Sequence, residues 1–501
     1  MRLLLLLAGA LITLCFQTQN SFAQCSAGEV SVTIDVRTDG FGYEAYWQLL
    51  PGTNNCGSGT IFAGGNNVVG CNGGGAQNQP SGGYGNDMTI TEGPFCLVDG
   101  NDYKIFHTDD WGDGGTSFDV YVNSYKMNSF TATGAIESWT FKAQEPEDYD
   151  GSAIHIHTPT YVVQGQNAVT GEVKNVGKQN WSSIEILYSI DNGTAVSETF
   201  TGINIANDES FEFEFTSNWD VSASGNYLLK FWIGDINGNA DQNSANDELS
   251  KFITVNNPIP NIIDQYFSNN YVFEEIATST NQVSIPRDLD FHPNYALKQL
   301  WIINKGTEAS GGSTVIIDNA GETNQFSQYV QDGNAWHFMS LPTAIDFSDN
   351  GNFATTPGVQ DANHSGGTFT GPSLWPSDLS IYGIVGNPPS ASFNGSHLDM
   401  LHGSPYSMGI AHEKDNVFWV FDSHNQEIVR YDFKEDHGPG KDYHADAHVR
   451  RYSEVVVKRN GTHIPNHMVL DKSSWWLYIV ENLNSRVLRL DINSGSKFQD
   501  L

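Results

Sequence analysis

Four prolines in the C-terminal half of the chain, Pro286, Pro342, Pro405 and Pro465, stand 56, 63 and 60 residues apart. Three residues after each comes Leu289, Ile345, Met408 or Met468, and five after each comes Phe291, Phe347, Ile410 or Leu470. A second apolar run follows in "LWIIN", "VFWVFDS" and "LYIVEN", with a weaker "NFATT", and a third in "TVIID", "EIVRYD" and "RVLRLD". Runs this short between turn signals fit strands and are too brief for helices. One set of short antiparallel strands cannot bury both of its faces alone. Its repetition at this period therefore predicts packed blades, a β-propeller.

The remainder also reads as strands, and the fold class expected is all-β in three modules. In the segment 24–142, "VSVTIDV" puts Val30, Val32, Ile34 and Val36 on one strand face, and "SFDVYV" does the same with Phe118, Val120 and Val122. Between them lies a Gly/Asn-rich loop too poor in large apolar residues to hold itself, so a disulfide-linked β-sandwich is expected. "KAQEPEDYDGS" then reads as a polar linker. In the segment 153–256, Phe211, Phe213 and Phe215 alternate with Glu212 and Glu214, a strand with one wet face. Strands at regular spacing over such a length predict an immunoglobulin-like sandwich. The propeller segment is 265–501.

Three stretches resemble known families. "YKIFHTDDWGDGGTSFDVYV" resembles a small β-sandwich module of exported bacterial proteins with a D-x-x-G-D-G turn, here Asp110-Trp111-Gly112-Asp113-Gly114. "VTGEVKNVG" and "NSANDELSKFITV" resemble CARDB-type adhesion and spacer modules. "VFWVFDSHNQEIVRYDF" and "WLYIVENLNSRVLRLDI" resemble NHL-type blades, in longer repeats than is usual. The NHL resemblance implies a six-bladed type of propeller. Four blades are visible, so the C-terminus is expected to be truncated, with the missing region carrying further blades and a surface-anchoring module, as in type IX-secreted proteins.

The first residues, "MRLLLLLAGALITLCFQTQNSFAQC", have the basic start, apolar run and small-x-small site of a signal peptide, 1–23. No later stretch is apolar enough for a membrane span. Cleavage after Ala23 leaves Cys25, Cys56, Cys71 and Cys96, all in one short region of an exported chain. They are expected to form two disulfides, with three pairings open. A net charge of −34 excludes nucleic acid as a partner and disfavours anionic membranes. The expected location is secreted or cell-surface, and the expected partner an extracellular protein or a glycan.

Candidate site residues fall in three groups. Asp109, Asp110, Asp113 and Asp119 crowd a glycine-rich turn and offer hard oxygens suited to calcium, or serve only to form the turn. His337, His402, His463 and His467 precede the first strands of blades, beside Arg287 and Asp288. If they converge over the channel they suit zinc with an open position; otherwise they cap strand ends. "DFKEDHGPGKDYHADAHVRRY" follows a third strand, on the opposite face. It offers Asp436, His437, Asp442, His444, Asp446 and His448 to a divalent metal, although Gly438-Pro439-Gly440 accounts for the turn by backbone needs. A weaker acidic stretch, Asp235, Asn237, Asp241 and Asp247, reads as a polar hairpin turn.

No GxSxG, HExxH, Walker loop or GxGxxG-plus-helix occurs, and no catalytic residue is assigned. The expected function is an exported, non-enzymatic binding or adhesion protein, with calcium as the first metal candidate and zinc as the second. The alternative is an extracellular metal-dependent lyase or hydrolase on the histidine-bearing face. Peptide-amidating lyases are the nearest such propellers, with zinc histidines just after blade prolines. Here Thr343 and Tyr406 occupy those positions, and Pro465 is followed by Asn466 before His467.

Overall fold

The computed structural model describes residues 25–259, 273–385, 395–441, 446–461 and 464–494. Residues 1–24, which include the expected signal peptide, and Asp442, His444 and His463 lie outside the described residues. The chain divides into two compact units, Met1–Pro146 and Glu147–Leu501. None of the described helices is long and apolar enough to cross a membrane.

The first unit is a sandwich of two four-stranded antiparallel sheets. One runs in the order Thr89–Val98, Glu29–Arg37, Ser117–Val122, Tyr125–Thr131. The other runs Phe62–Gly65, Ala45–Pro51, Asp102–Asp109, Ile136–Lys142. Period-2 alternation decides what is buried: Val30, Val32, Ile34 and Val36 meet Phe118, Val120 and Val122 in a core completed by Trp47, Leu49 and Ile105. Disulfides join Cys25 to Cys96 and Cys56 to Cys71. The first ties Cys25, just before the first strand, to an edge strand, and the second closes the Gly/Asn-rich loop.

The second unit begins with the immunoglobulin-like sandwich. Its larger sheet runs Tyr161–Val163, Glu248–Asn256, Gly225–Ile236, Trp181–Ile190, Val196–Ile205. Its smaller sheet runs Ser210–Glu214, Thr170–Asn175, Gly151–His155. Trp181, Phe213, Phe215, Phe231 and Ile253 fill the space between them, while Glu212 and Glu214 stay exposed. Tyr161–Val163 pairs parallel to Glu248–Asn256, which no local pattern announces.

Four propeller blades follow. The first is Pro286–Phe291, Leu300–Thr307, Gly311–Asp318, Phe326–Val330, and the second is Pro342–Phe347, Phe353–Pro357, Ser373–Trp375, Asp399–Met400. The third is Ser407–His412, Val417–Asp422, Glu427–Asp432, His448–Tyr452, and the fourth shows Met468–Asp471, Trp476–Glu481, Arg486–Asp491. Carboxylates tie neighbouring inner strands. The Ile345 amide donates to Asp288 Oδ2 at 3.1 Å, that of Phe347 to Asp290 Oδ2 at 2.9 Å, and that of His412 to Asp346 Oδ2 at 2.7 Å. Between the third and fourth blades the backbones meet directly, Asn466 N donating to Met408 O at 2.7 Å. Gly409 permits this approach, because a Cβ there would lie 2.1 Å from the Asn466 carbonyl oxygen.

The immunoglobulin-like sandwich rests on the face where the first strands of the blades end. Tyr161 N donates to Asp349 O at 3.2 Å, Asn256 Nδ2 donates to Pro293 O at 3.2 Å, and the Tyr161 ring packs edge-on against His292.

Candidate functional site

In the first unit, the glycine-rich turn brings Asp109 and Asp113 together with Glu44, which the sequence did not single out. Their carboxylate oxygens lie within 4.8 Å of one another. Gly112, Gly114 and Gly115 all take positive φ, a conformation that favours glycine. Gly115 also makes room for a fourth acid, since a Cβ there would sit 2.1 Å from Asp39 Oδ2. Burial, and then the negative charge of Asp109, Asp113 and Asp39, pushes the Glu44 carboxyl up to about 7. Burial likewise raises Asp109 to about 6, against the Gly112 amide that donates to it. The other two predicted ligands are engaged elsewhere. Asp110 accepts the amides of Asn78 and Gln79 at 3.1 and 2.8 Å, and Asp119 pairs with Arg37 and Lys126.

The propeller histidines do not form a group of three ligand atoms among the described residues. His337 Nδ1 meets the Ala362 carbonyl at 3.0 Å, the His402 ring lies 3.6 Å from that of Phe369, and His467 Nδ1 is 3.6 Å from Asp288 Oδ2. Two of these partners, Ala362 and Phe369, belong to the long insertion after the second strand of the second blade. In the loop after the third blade's third strand, Asp436 accepts from Asn352 and Asn416, both at 3.0 Å. His437 Nε2 lies 3.1 Å from Asp446 Oδ2, and His448 opens the fourth strand. The stretch 235–240 forms the expected hairpin turn, with Asn237 at φ +51° accepting from Ser182 N at 2.7 Å.

A cavity with both rings and charges lies where the first strands of the blades end, beneath Tyr161. It encloses about 680 Å³, within the ordinary range for small-ligand sites. Tyr161, Phe291, Tyr295 and Phe347 supply its aromatic wall. Asp290 and Asp346 supply a carboxyl pair. Burial and the charge of Asp290 raise Asp346 well above the carboxylate range, and burial raises Asp290 as well. Lys472 donates to His412 Nδ1 at 2.9 Å and lies 3.6 Å from Asp349 Oδ2. Burial, reinforced by the Lys472 charge, lowers His412 to about 3, so its ring is neutral and its Nε2 donates to the Asp415 carbonyl.

Asp290 and Asp346 each stand four residues after a blade proline, so the repeat itself carried a signal that these positions are equivalent. Glu44, Lys472 and His412 carried none. A further group, His155, His157 and Asp415, lies beside this cavity, and its sequence trace is the H-x-H of "AIHIHTP".

No protein-family model matches the sequence, and no curated protein does. Among solved structures, the chain is similar to the CARDB domain of a Pyrococcus furiosus protein in complex with di-metal ions, at 22% identity, over 22% of this chain and 91% of that one, with a TM-score of 0.19. It is similar to an auxiliary nutrient binding protein from Bacteroides ovatus at 13% identity, over 67% of each chain, TM-score 0.27. It is also similar to a streptogramin B lyase at 10% identity, over 69% of this chain and 87% of that one, TM-score 0.22.

Proposed function

We propose that the chain is an exported binding protein that takes a glycan in the cavity beneath Tyr161. The observation that carries this reading is one cavity with an aromatic wall and a floor of Asp290, Asp346, Asp349 and Lys472. Sugars offer a weakly polar ring face to aromatic side chains and hydroxyls to carboxyl and amine groups, and this cavity has both. The signal sequence and two disulfides support export, since disulfides persist in oxidising compartments. Binding of fluorescent full-length chain to an array of plant, microbial and animal glycans tests it. Saturable binding is expected, weakened at least about tenfold by Phe291→Ala and by Lys472→Ala. Absence of saturable binding to any glycan, or equal binding by both variants, refutes the reading.

Calcium fits the Glu44, Asp109 and Asp113 oxygens as a stabiliser of the first unit, because a hard cation relieves the repulsion between two buried carboxylates and a third at the surface. Calorimetry of the full chain should show the first unit's transition rise with calcium, and Asp113→Ala should abolish the rise.

Without calcium the stability of the first unit depends on pH through Glu44. Glu44 has a folded value of about 7 against 4.5 unfolded, so its contribution is fully favourable below about 4.5 and is lost as pH rises through 7. Relative to Glu44→Gln, the calcium-free wild type should therefore lose stability between pH 5 and 8. The comparison cancels His107, whose burial holds it near 3 and which destabilises in the other direction as the unfolded chain protonates below about 6.5. Parallel curves for the two proteins would remove Glu44 from the account.

A further inference from the structure

His155 and His157 stand two apart at the end of the strand Gly151–His155, and an extended backbone turns both side chains to one side. Their ring centroids are 4.7 Å apart. Asp415 comes from the third blade, on the turn between its first and second strands. His157 Nδ1 lies 2.8 Å from Asp415 Oδ2, and His155 Nε2 lies 3.6 Å from Asp415 Oδ1. One ligand atom from each of the three residues lies within 4.8 Å of the others. Two imidazole nitrogens and a carboxylate from two separate modules thus face one point.

The outer nitrogens of both rings also have partners of one kind. His155 Nδ1 is 3.5 Å from Glu435 Oε1, and His157 Nε2 is 3.8 Å from Glu172 Oε2. His157 Nε2 is buried and has no hydrogen bond among the described residues. A carboxylate behind each imidazole is how metal-bound histidines are oriented, with the inner nitrogen left for the ion. The group opens onto a cavity of about 340 Å³, whose wall carries six carboxylates (Glu172, Glu212, Asp415, Asp432, Glu435, Asp436) against three lysines. This wall has a negative balance that attracts a cation.

We propose that His155 Nε2, His157 Nδ1 and the Asp415 carboxylate bind a divalent transition-metal ion, zinc being the probe of choice, and that the ion clamps the immunoglobulin-like sandwich to the propeller. Zinc–nitrogen bonds of about 2.0–2.1 Å place tetrahedral ligand atoms roughly 3.3 Å apart, so on metal binding the His157–Asp415 pair at 2.8 Å opens and the His155–Asp415 pair at 3.6 Å closes, each by a few tenths of an ångström. Two protein nitrogens and one oxygen leave a fourth position for water. Glu435 and Glu172 are positioning residues that hold the rings. The site is distinct from the glycan cavity and does not depend on that reading.

The test uses the full chain, loaded with zinc, dialysed against metal-free buffer and assayed for metal by mass spectrometry. Wild type is expected to keep one zinc per chain. His157→Ala and Asp415→Asn are expected to keep none, and Glu435→Gln to bind about tenfold more weakly. Asp102→Asn, an exposed carboxylate of the first unit, should keep the full amount. Zinc should raise the second unit's melting transition in wild type and leave it unmoved in His157→Ala. Should a variant misfold, cobalt titration of the wild type gives an independent reading, with a visible band of imidazole-bound cobalt that zinc displaces. No retained zinc and no such band would reduce the cluster to histidine–carboxylate ion pairs and overturn the proposal. So would variants that retain zinc as well as wild type.

Discussion

Replacing Cys25 and Cys96 together by serine should lower the first unit's melting transition by on the order of 15 °C, and leave the second unit's transition in place. The bridge closes a loop with a sequence separation of 71. Chain-entropy arguments give a loop of that length about 4 kcal/mol of stabilisation, chiefly by restricting the unfolded chain. In a domain of roughly this size each kcal/mol moves the midpoint by about 4 °C. The Cys56–Cys71 bridge, with a separation of 15, is expected to contribute about 3 kcal/mol. Differential scanning calorimetry with and without reductant checks both values. An unchanged first transition in the Cys25/Cys96 variant would mean that the sandwich core alone holds the unit. The separate response of the two transitions follows from the division of the chain at Pro146.

Trp419→Ala is the second large effect, expected to cost the second unit about 3–5 kcal/mol. The indole is 1% exposed and packs against Tyr452 at 5.2 Å between centroids. Its Nε1 donates to Glu413 Oε2 at 2.7 Å, and the same carboxylate takes two hydrogen bonds from Arg430, each at 2.8 Å. Truncation leaves a cavity in the cluster joining the third and fourth blades, where Met408 and Phe421 meet Leu477 and Ile479. Trp419→Phe keeps most of the packing and loses one hydrogen bond to a charged group, about 1.5–3 kcal/mol. Denaturant unfolding followed by the second unit's signal separates the two. Equal losses in both variants would place the energy in the Glu413 hydrogen bond, with little in the indole volume.

How much of this was readable depends on the range of the interactions. The strand faces of Val30–Val36 and Phe118–Val122 were legible, because side chains alternate along any strand and only one face can be wet. The four blades were legible because each repeats the same short code, and the second blade's third strand, Ser373–Trp375, was missed because a long insertion interrupts it. At the candidate calcium site, the turn supplied Asp109 and Asp113, while Glu44 arrives from a different strand. Asp119 looked like a ligand by spacing, yet its strand directs it to Arg37 and Lys126.

The sequence by itself determined the all-β class, the covalent chemistry of the cysteine-rich region, the blade repeat and the strongly acidic balance. These rest on local periodicity and composition, which need no knowledge of distant neighbours. Tertiary structure alone decided which face of the propeller carries the cavity and which charged groups meet there. His157 and Asp415 are separated by 258 positions in the chain, yet their side chains lie 2.8 Å apart. The docking of the sandwich on the blade ends brings them together, because that contact buries Tyr161 against His292 and satisfies backbone groups of both modules. Side-chain chemistry is written in the sequence, but proximity across such a separation exists only once both modules have folded and packed.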